Sequence, residues 1–203
     1  MTSLKRTKLR QCTNCLCVIN GVWEWVEECA REAADEEPAM RGILDDVCLS
    51  RNSLATSISA RLARKLSRRD MPRELIEPLI REALADEESI LSQIAHDLIA
   101  IVDRDPACRT PLEPLLFYKG FHAITTYRIS HWLWKHGRTI MALQFQSLAS
   151  EVFAVDIHPA AVIGCGILLD HATSFVVGET AIIRDNVSIL HEVTLGGTGK
   201  EEG

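Results

Sequence analysis

The sequence predicts an α+β chain: an all-helical N-terminal domain followed by a short parallel β-helix of hexapeptide repeats. Apolar residues recur at helical spacing from about residue 22 to residue 102. The apolar period then changes to six at Asp156. With 203 residues, 47% hydrophobic and 25% charged, the composition is typical of a globular chain with one or two domains.

The net charge and the hydropathy pattern exclude two classes of partner. The formal net charge is −6, whereas general binding to nucleic acid requires a basic excess that neutralises phosphates. No apolar stretch approaches the roughly 18 residues that span a bilayer, and the basic start lacks the features of a signal peptide. We therefore expect a cytoplasmic protein that binds neither nucleic acid nor membranes.

The cysteines do not form a pattern typical of a secreted protein. There are seven, an odd number, and they are scattered along the chain. The spacing of Cys12, Cys15 and Cys17 resembles the start of a zinc site, but no second cysteine pair or spaced histidine pair follows to complete a tetrahedral set. We expect reduced thiols here and no metal site.

The first half of the chain reads as helices that pack on one face. The segments RELIEPLIREALA and SILSQIAHDLIAIV each carry one apolar stripe. The segment DRDPACRTPLEP then contains Pro106, Pro111 and Pro114, which favour a loop because proline fixes φ and lacks an amide donor. The stripes are Leu75, Ile76, Leu79, Ile80, Ala83 and Leu84, and Ile90, Leu91, Ile94, Leu98 and Ile99.

Helical spacing resumes after this loop and continues to the change of period. Gly120 and Gly137 are the expected interruptions or caps, and RTIMALQFQSLASEVF forms the last helix. We therefore predict a loosely ordered extension over residues 1–21, a helical domain over 22–153 and an incomplete β-helix over 154–203.

From Asp156 the sequence divides into hexads. A column of apolar residues spaced by six fits neither a helix nor a single strand, but it fits a parallel β-helix in which each short strand and its turn use one hexapeptide. Three hexads make one triangular coil, so the chain supplies fewer than three coils. The predicted inward column is Ile157, Ile163, Leu169, Phe175, Ala181, Val187 and Val193.

One polar pair, Asp170–His171, interrupts this apolar repeat in GILLDHATSFVVGE. An acid beside a histidine can serve acid–base catalysis, but the same pair at a turn can simply satisfy backbone groups or each other. The residues alone leave both interpretations open.

The chain resembles bacterial serine O-acetyltransferases, which belong to the hexapeptide-repeat acyltransferases and acetylate L-serine on the route to cysteine. The resemblance covers about residues 22–200 and rests on RDPA, KGFHAITTYRISHWLW, VDIHPAAVIG, LLDHAT, VVGETA and VSILHEVTLGGTGK, in the order and spacing of that family. It implies a left-handed β-helix, acetyl-CoA as co-substrate with no tightly bound cofactor, and a homotrimer or dimer of trimers.

The resemblance also implies site residues. His171 falls on the general base and Asp156 on the acid that orients it, because a serine hydroxyl needs a positioned imidazole to attack a thioester. Asp105 and Asp170 match the acids that hold the serine ammonium. In the same way Gly196 and Gly197 match the segment along which pantetheine lies. Of two further residues, His158 is expected to be a structural turn residue, and Lys200 either meets a CoA phosphate or is solvated.

The family pattern continues beyond GGTGK with an Arg-His pair for the serine carboxylate, further coils, and a tail that docks into O-acetylserine sulfhydrylase. This sequence ends at EEG, so we interpret it as truncated and expect weak or no transfer and no retained docking. Two alternatives to a serine acetyltransferase are an inactive subunit that acts as an oligomerisation module, and an acetyltransferase for another hydroxyl acceptor.

Overall fold

The computed structural model describes residues 14–197, and its first helix begins earlier than the predicted domain boundary at residue 22. Helix α1 starts at Cys15 because the Asn14 side chain caps it, accepting from the amides of Leu16 and Cys17. Cys15 is a free thiol whereas Cys17 is disulfide-bonded, which differs from the expected reduced thiols, and Cys12 lies outside the described residues. After α1 (Cys15–Glu36) come a 3₁₀ turn (Pro38–Met40), α2 (Arg41–Leu44) and a π-helical turn (Asp45–Leu49).

The two predicted apolar stripes lie on long helices and form much of the core. Ile76 and Ile80 are fully buried on one helix and Ile94 and Leu98 on the next, as the helical spacing predicts. Leu75 is the exception, since 54% of it is exposed. The helices are α3 (Leu54–Leu66), α4 (Arg73–Asp86) and α5 (Glu88–Arg104).

The predicted proline loop is shorter than expected. Helix α5 continues to Arg104, and a short helix already begins at Leu112, with Pro111 before it and Pro114 in its first turn. Proline is tolerated there because the first amides of a helix have no partner within it. Gly137 closes the following long helix with a φ of 73°, as predicted, whereas Gly120 lies inside its first turn. These helices are α6 (Leu112–Leu116), α7 (Lys119–Lys135) and α8 (Thr139–Phe153).

Seven short strands in the described part of the chain confirm the predicted parallel β-helix. All strand pairs are parallel, and each strand pairs with the one that follows it by three in the chain, in the orders β1-β4-β7, β2-β5 and β3-β6. The strands are β1 (Val155–Ile157), β2 (Val162–Ile163), β3 (Leu168–Leu169), β4 (Phe175–Val177), β5 (Ile182–Ile183), β6 (Ser188–Ile189) and β7 (Thr194–Leu195).

The strict six-residue column is wrong beyond Leu169. Leu168 pairs with Ser188, twenty residues later, whereas Val176 pairs with Thr194, eighteen later. The corner after β3 is therefore two residues longer than the corner after β6; we call residues 170–174 the long corner. The stacked positions run Ile157, Ile163, Leu169, Val177, Ile183, Ile189 and Leu195, and the predicted Ala181, Val187 and Val193 are only partly buried.

A buried ion pair fixes the helical domain to the β-helix. The Arg128 Nη2 and Nε atoms donate to Asp97 Oδ2 at 2.7 and 3.0 Å, and the two side chains are only 2% and 1% exposed. Arg128 also donates to the Gly164 carbonyl at 2.8 Å, and the Ile167 amide donates to Asp97 Oδ1 at 2.8 Å. Helices α5 and α7 thus hold the segment that leads through β3 into the long corner.

No helix among residues 14–197 is both long and apolar enough to cross a membrane.

Candidate active site

The long corner forces its residues into an unusual backbone conformation. His171, Ala172 and Ser174 have φ values of 57°, 62° and 59°, in the left-handed region that most L-residues avoid. Two tight turns support it, because the Ala172 amide donates to the Asp170 carbonyl and the Thr173 amide to the His171 carbonyl, at 2.6 and 2.8 Å. The corner thereby projects the His171 side chain outward, where 74% of it is exposed.

Three of the residues named from the sequence, Asp105, Asp170 and His171, line one cavity of about 370 Å³. They come from the end of α5 and from the long corner, which are 65 residues apart in the chain. The cavity is also lined by Ala107, Phe117, Tyr118, Lys119 and Gly120. A small polar molecule can therefore meet an imidazole and two carboxylates at once.

Asp105 is held in place by the end of helix α5. Its Oδ1 atom accepts from the Ala107 amide at 2.8 Å, which fixes the turn that follows the helix. The preceding residue, Arg104, donates to the Gly166 carbonyl and to Asn186 Oδ1, both at 3.0 Å. The helix end is therefore tied to both coils of the β-helix, and this tie sets the position of Asp105 relative to the long corner.

Two polar groups lie next to the His171 ring. Its Nε2 atom is 3.7 Å from Asp170 Oδ2, and its centroid is 5.9 Å from that of His191, which meets it edge-on. His191 was not identified from the sequence. The signal was available, because His191 follows His171 by twenty residues, the same offset that separates paired strands of these coils.

The predicted contact between Asp156 and His171 is not formed within one chain. Asp156 lies in the middle of β1, opposite Val176, and its Oδ1 atom accepts from Gln146 Nε2 at 2.6 Å. No hydrogen bond or ion pair among the described residues joins it to His171. The pairing of Asp156 with His171 therefore stays a prediction.

The remaining predicted residues lie outside this cavity. Gly196 and Gly197 follow β7, and a Cβ on Gly196 would lie 3.7 Å from Gly178 in the preceding coil. His158 is a turn residue, as expected: its Nδ1 atom accepts from the Ala160 amide at 3.2 Å and its ring packs edge-on against Trp134. Lys200 lies outside the described residues.

Tyr118 and the neighbouring Cys108 do not supply a base to this cavity. Burial raises the pKa of Tyr118 well above its usual range and raises the pKa of the Cys108 thiol to about 11. Both groups therefore keep their protons near neutral pH. Of the groups that line the cavity, His171 carries the imidazole, which is the side chain that most often acts as general base toward a hydroxyl.

Among residues 14–197 no group of three or more histidine, cysteine or acidic side chains is arranged to hold a metal ion.

Comparison with known proteins identifies the family. A family model described as "Serine acetyltransferase, N-terminal" matches residues 22–126. The serine acetyltransferase of Salmonella typhimurium is 47% identical over 182 residues, which are 90% of this chain and 67% of that protein. The chain belongs to the serine acetyltransferase family. The resemblance stated from the sequence is thus confirmed.

Solved serine acetyltransferases share the fold. The soybean serine acetyltransferase complexed with serine has a TM-score of 0.87 at 48% identity, covering 90% of this chain and 75% of that one. The Brucella abortus serine acetyltransferase in complex with coenzyme A also has a TM-score of 0.87, at 42% identity, covering 90% and 73%. These similarities confirm the predicted fold class of a helical domain followed by a β-helix.

Proposed function

We propose that this serine acetyltransferase transfers the acetyl group of acetyl-CoA to the hydroxyl of L-serine, giving O-acetylserine for cysteine biosynthesis, at the cavity of Asp105, Asp170 and His171. The observation that carries the proposal is the convergence of one imidazole and two carboxylates on a single small cavity. The family supplies the class of reaction, an acetyl-CoA-dependent O-acyl transfer, and this geometry supplies the groups that perform it.

His171 acts as the general base. As the serine oxygen attacks the thioester carbonyl carbon, the imidazole takes the hydroxyl proton, and a tetrahedral oxyanion forms. Collapse of this intermediate breaks the carbon–sulfur bond, and the imidazolium returns the proton to the departing CoA sulfur. The Asp170 carboxylate lies 3.7 Å from the Nε2 atom of this ring.

The two carboxylates also fix the substrate. An α-amino acid presents an ammonium group, and Asp105 and Asp170 offer acceptors on the wall of the cavity that contains the base. A serine bound by its ammonium group brings its hydroxyl within range of His171, which removes most of the entropy cost of the encounter.

For Asp156 we propose the orienting role in the assembled enzyme. Its Oδ1 atom accepts a hydrogen bond from Gln146, whereas none of the described residues donates to its Oδ2 atom, so the carboxylate keeps the capacity to accept from an imidazole.

For Gly196 and Gly197 we propose the pantetheine contact. The absence of a side chain at both positions, and the open space beside Gly197, where a Cβ would have nothing within 4 Å, support an approach of ligand to backbone.

We also propose that the chain assembles as a homotrimer, or a dimer of such trimers, through the outer faces of the β-helix. Val162 and Ile182 are register partners on neighbouring coils, and 53% and 62% of their surfaces are exposed. Apolar side chains stacked on an outer face support burial against another subunit. We place the enzyme in the cytoplasm. Among the described cysteines, Cys48, Cys108 and Cys165 are free thiols, as in a reducing compartment, whereas Cys17 is disulfide-bonded.

The test is L-serine-dependent release of free thiol from acetyl-CoA by the 203-residue chain. His171→Ala should lower turnover by a factor on the order of 10² to 10⁴, the usual contribution of a general base. His136→Ala, at the far end of α7, is the matched control and should leave it unchanged. Turnover with a different alcohol but not with serine would establish another acceptor. No turnover at all is the result that both the truncation and the inactive-subunit alternative predict, and an extended chain with the family's further coils that also gives no turnover would favour the inactive-subunit alternative.

A further inference from the structure

One arginine joins the two elements that carry the carboxylates of the cavity. Arg104 is the last residue of α5 and immediately precedes Asp105, and its half-buried side chain reaches across to the β-helix. Its Nη1 atom donates to the Gly166 carbonyl and its Nη2 atom to Asn186 Oδ1, both at 3.0 Å. Gly166 lies four residues before Asp170. The arginine therefore links the helix end that carries one carboxylate to the coil that carries the other.

Asp105 is bonded on all sides to the end of this helix. Its amide donates to the Ile101 carbonyl at 2.9 Å, its carbonyl accepts from the Cys108 amide at 3.1 Å, and its Oδ1 atom accepts from the Ala107 amide at 2.8 Å. None of the described residues donates to its Oδ2 atom, so this oxygen can accept from a substrate ammonium. The position of the carboxylate relative to Asp170 thus depends on where the end of α5 lies against the β-helix.

The two acceptors that Arg104 holds are themselves fixed. Gly166 and Asn186 are twenty residues apart, the offset between paired strands of the two coils, and their φ values are 67° and 61°. The Asn186 amide donates to the Cys165 carbonyl at 2.8 Å. A Cβ on Gly166 would lie 2.5 Å from Asn186 Oδ1, so the carboxamide packs directly on the glycine. A guanidinium reaches both acceptors because its nitrogens form a planar fork, whereas a lysine ammonium is a single point donor.

We propose that Arg104 is a positioning residue for substrate recognition, because it sets the spacing between Asp105 and Asp170 and thereby the strength with which the site binds the ammonium group of L-serine. This inference rests on the proposed function of the site. An ammonium held by two carboxylates needs both within hydrogen-bonding reach of one nitrogen, and a shift of about 1 Å at the end of α5 would weaken one of the two contacts. Arg104 does not line the cavity, so it acts through Asp105 and not on the substrate.

The experiment compares acceptors that differ only in the ammonium group. The kcat and KM for L-serine and 3-hydroxypropionate, and their binding by calorimetry, are measured for the unmodified chain, Arg104→Met and Asp105→Asn. A charge-assisted contact should give the unmodified chain a preference for L-serine of about tenfold to a hundredfold. Arg104→Met should lose most of that preference through a higher KM for L-serine, with kcat and the KM for acetyl-CoA unchanged. Arg109→Met, which replaces an exposed arginine five residues later, should keep the preference.

Two further variants test whether Arg104 acts through Asp105. In the double variant, Arg104→Met should add less than about twofold to the loss caused by Asp105→Asn, because the carboxylate whose position it sets has already lost its charge. Asn186→Gly removes one acceptor of the arginine at an exposed corner, and glycine adopts the positive φ there freely. It should raise the KM for L-serine by a smaller factor than Arg104→Met, and it tests the same contact even if Arg104→Met does not fold.

The outcomes separate this inference from the proposed function. If Arg104→Met weakens L-serine and 3-hydroxypropionate equally, or if the losses multiply in the double variant, the role of the arginine is structural and the inference is overturned, although His171-dependent turnover would stand. An unchanged KM for L-serine in Arg104→Met overturns it as well. If only the extended chain binds L-serine, the same variants are compared in that chain. Absence of serine binding in both chains would overturn the proposed function and this inference together.

Discussion

Replacing Arg128 by Met should be among the most destabilising single changes in the helical domain. The substitution leaves the Asp97 carboxylate without its ionic partner at a position where only 1% of the side chain is exposed. Breaking a buried ion pair by removing one partner typically costs about 3–5 kcal/mol, because the remaining charge is desolvated and uncompensated. Arg128→Met also leaves the Gly164 carbonyl without this donor, so we expect the loss in the free energy of unfolding to lie toward the upper end of that range.

A double-mutant cycle tests the cause of this loss. Asp97→Asn removes the charge but retains an oxygen for the Ile167 amide, and the double variant has no orphaned charge. The double variant should therefore be less destabilised than the sum of the single variants, by about 1–3 kcal/mol. Arg138→Met is the matched control, because its ion pair with Glu82 is exposed and such pairs contribute about 0–1 kcal/mol.

The measurement is urea unfolding followed by the fluorescence of the four tryptophans, at one fixed protein concentration so that any association contributes equally. A loss below about 1 kcal/mol for Arg128→Met would show that the pair is not buried as described. Additive single and double variants would show that the two side chains do not interact.

Three further predictions concern stability. Gly120→Ala should lower the melting temperature by several degrees, since its Cβ would meet backbone at 2.0 Å, whereas Gly42→Ala, with nothing within 4 Å, should not. Phe175→Ala should cost about 3–5 kcal/mol in the same urea assay because the ring is fully buried, and a cost below 1 kcal/mol would refute its place in the core. Burial lowers the pKa of His122 to about 3, so the folded chain keeps it neutral while the unfolded chain binds a proton below its usual pKa of about 6.5. The contribution of His122 to the free energy of unfolding should thus be fully present above about pH 6.5 and should fall by about 2 kcal/mol by pH 5. The free energy of unfolding of His122→Phe should lack this part of the pH dependence.

Much of the fold could be predicted from the sequence because helical stripes and a six-residue period are local patterns. The burial of Ile76, Ile80, Ile94 and Leu98 follows from their spacing alone. The shift of the column after Leu169 could not be predicted in this way. A corner with two additional residues leaves the apolar pattern nearly unchanged, because Phe175 and Val177 are both apolar and both buried.

The candidate site was predictable in part. Asp105, Asp170 and His171 came from short motifs and do share one cavity. The partner of Asp156 could not be predicted, because Gln146 reaches it only through the packing of α8 against β1.

In the long corner, a substitution that relieves backbone strain can also remove a side chain that the proposed reaction needs. His171, Ala172 and Ser174 each occupy a conformation that glycine adopts freely and that other residues adopt at a cost on the order of 1 kcal/mol. Selection for stability alone would therefore favour glycine at His171 and would remove the imidazole. A glycine at position 174 would relieve the same backbone strain, and Ser174 is exposed and does not line the cavity. The chain can thus be stabilised beside its base without losing it, and only one of the three strained residues is kept for chemistry.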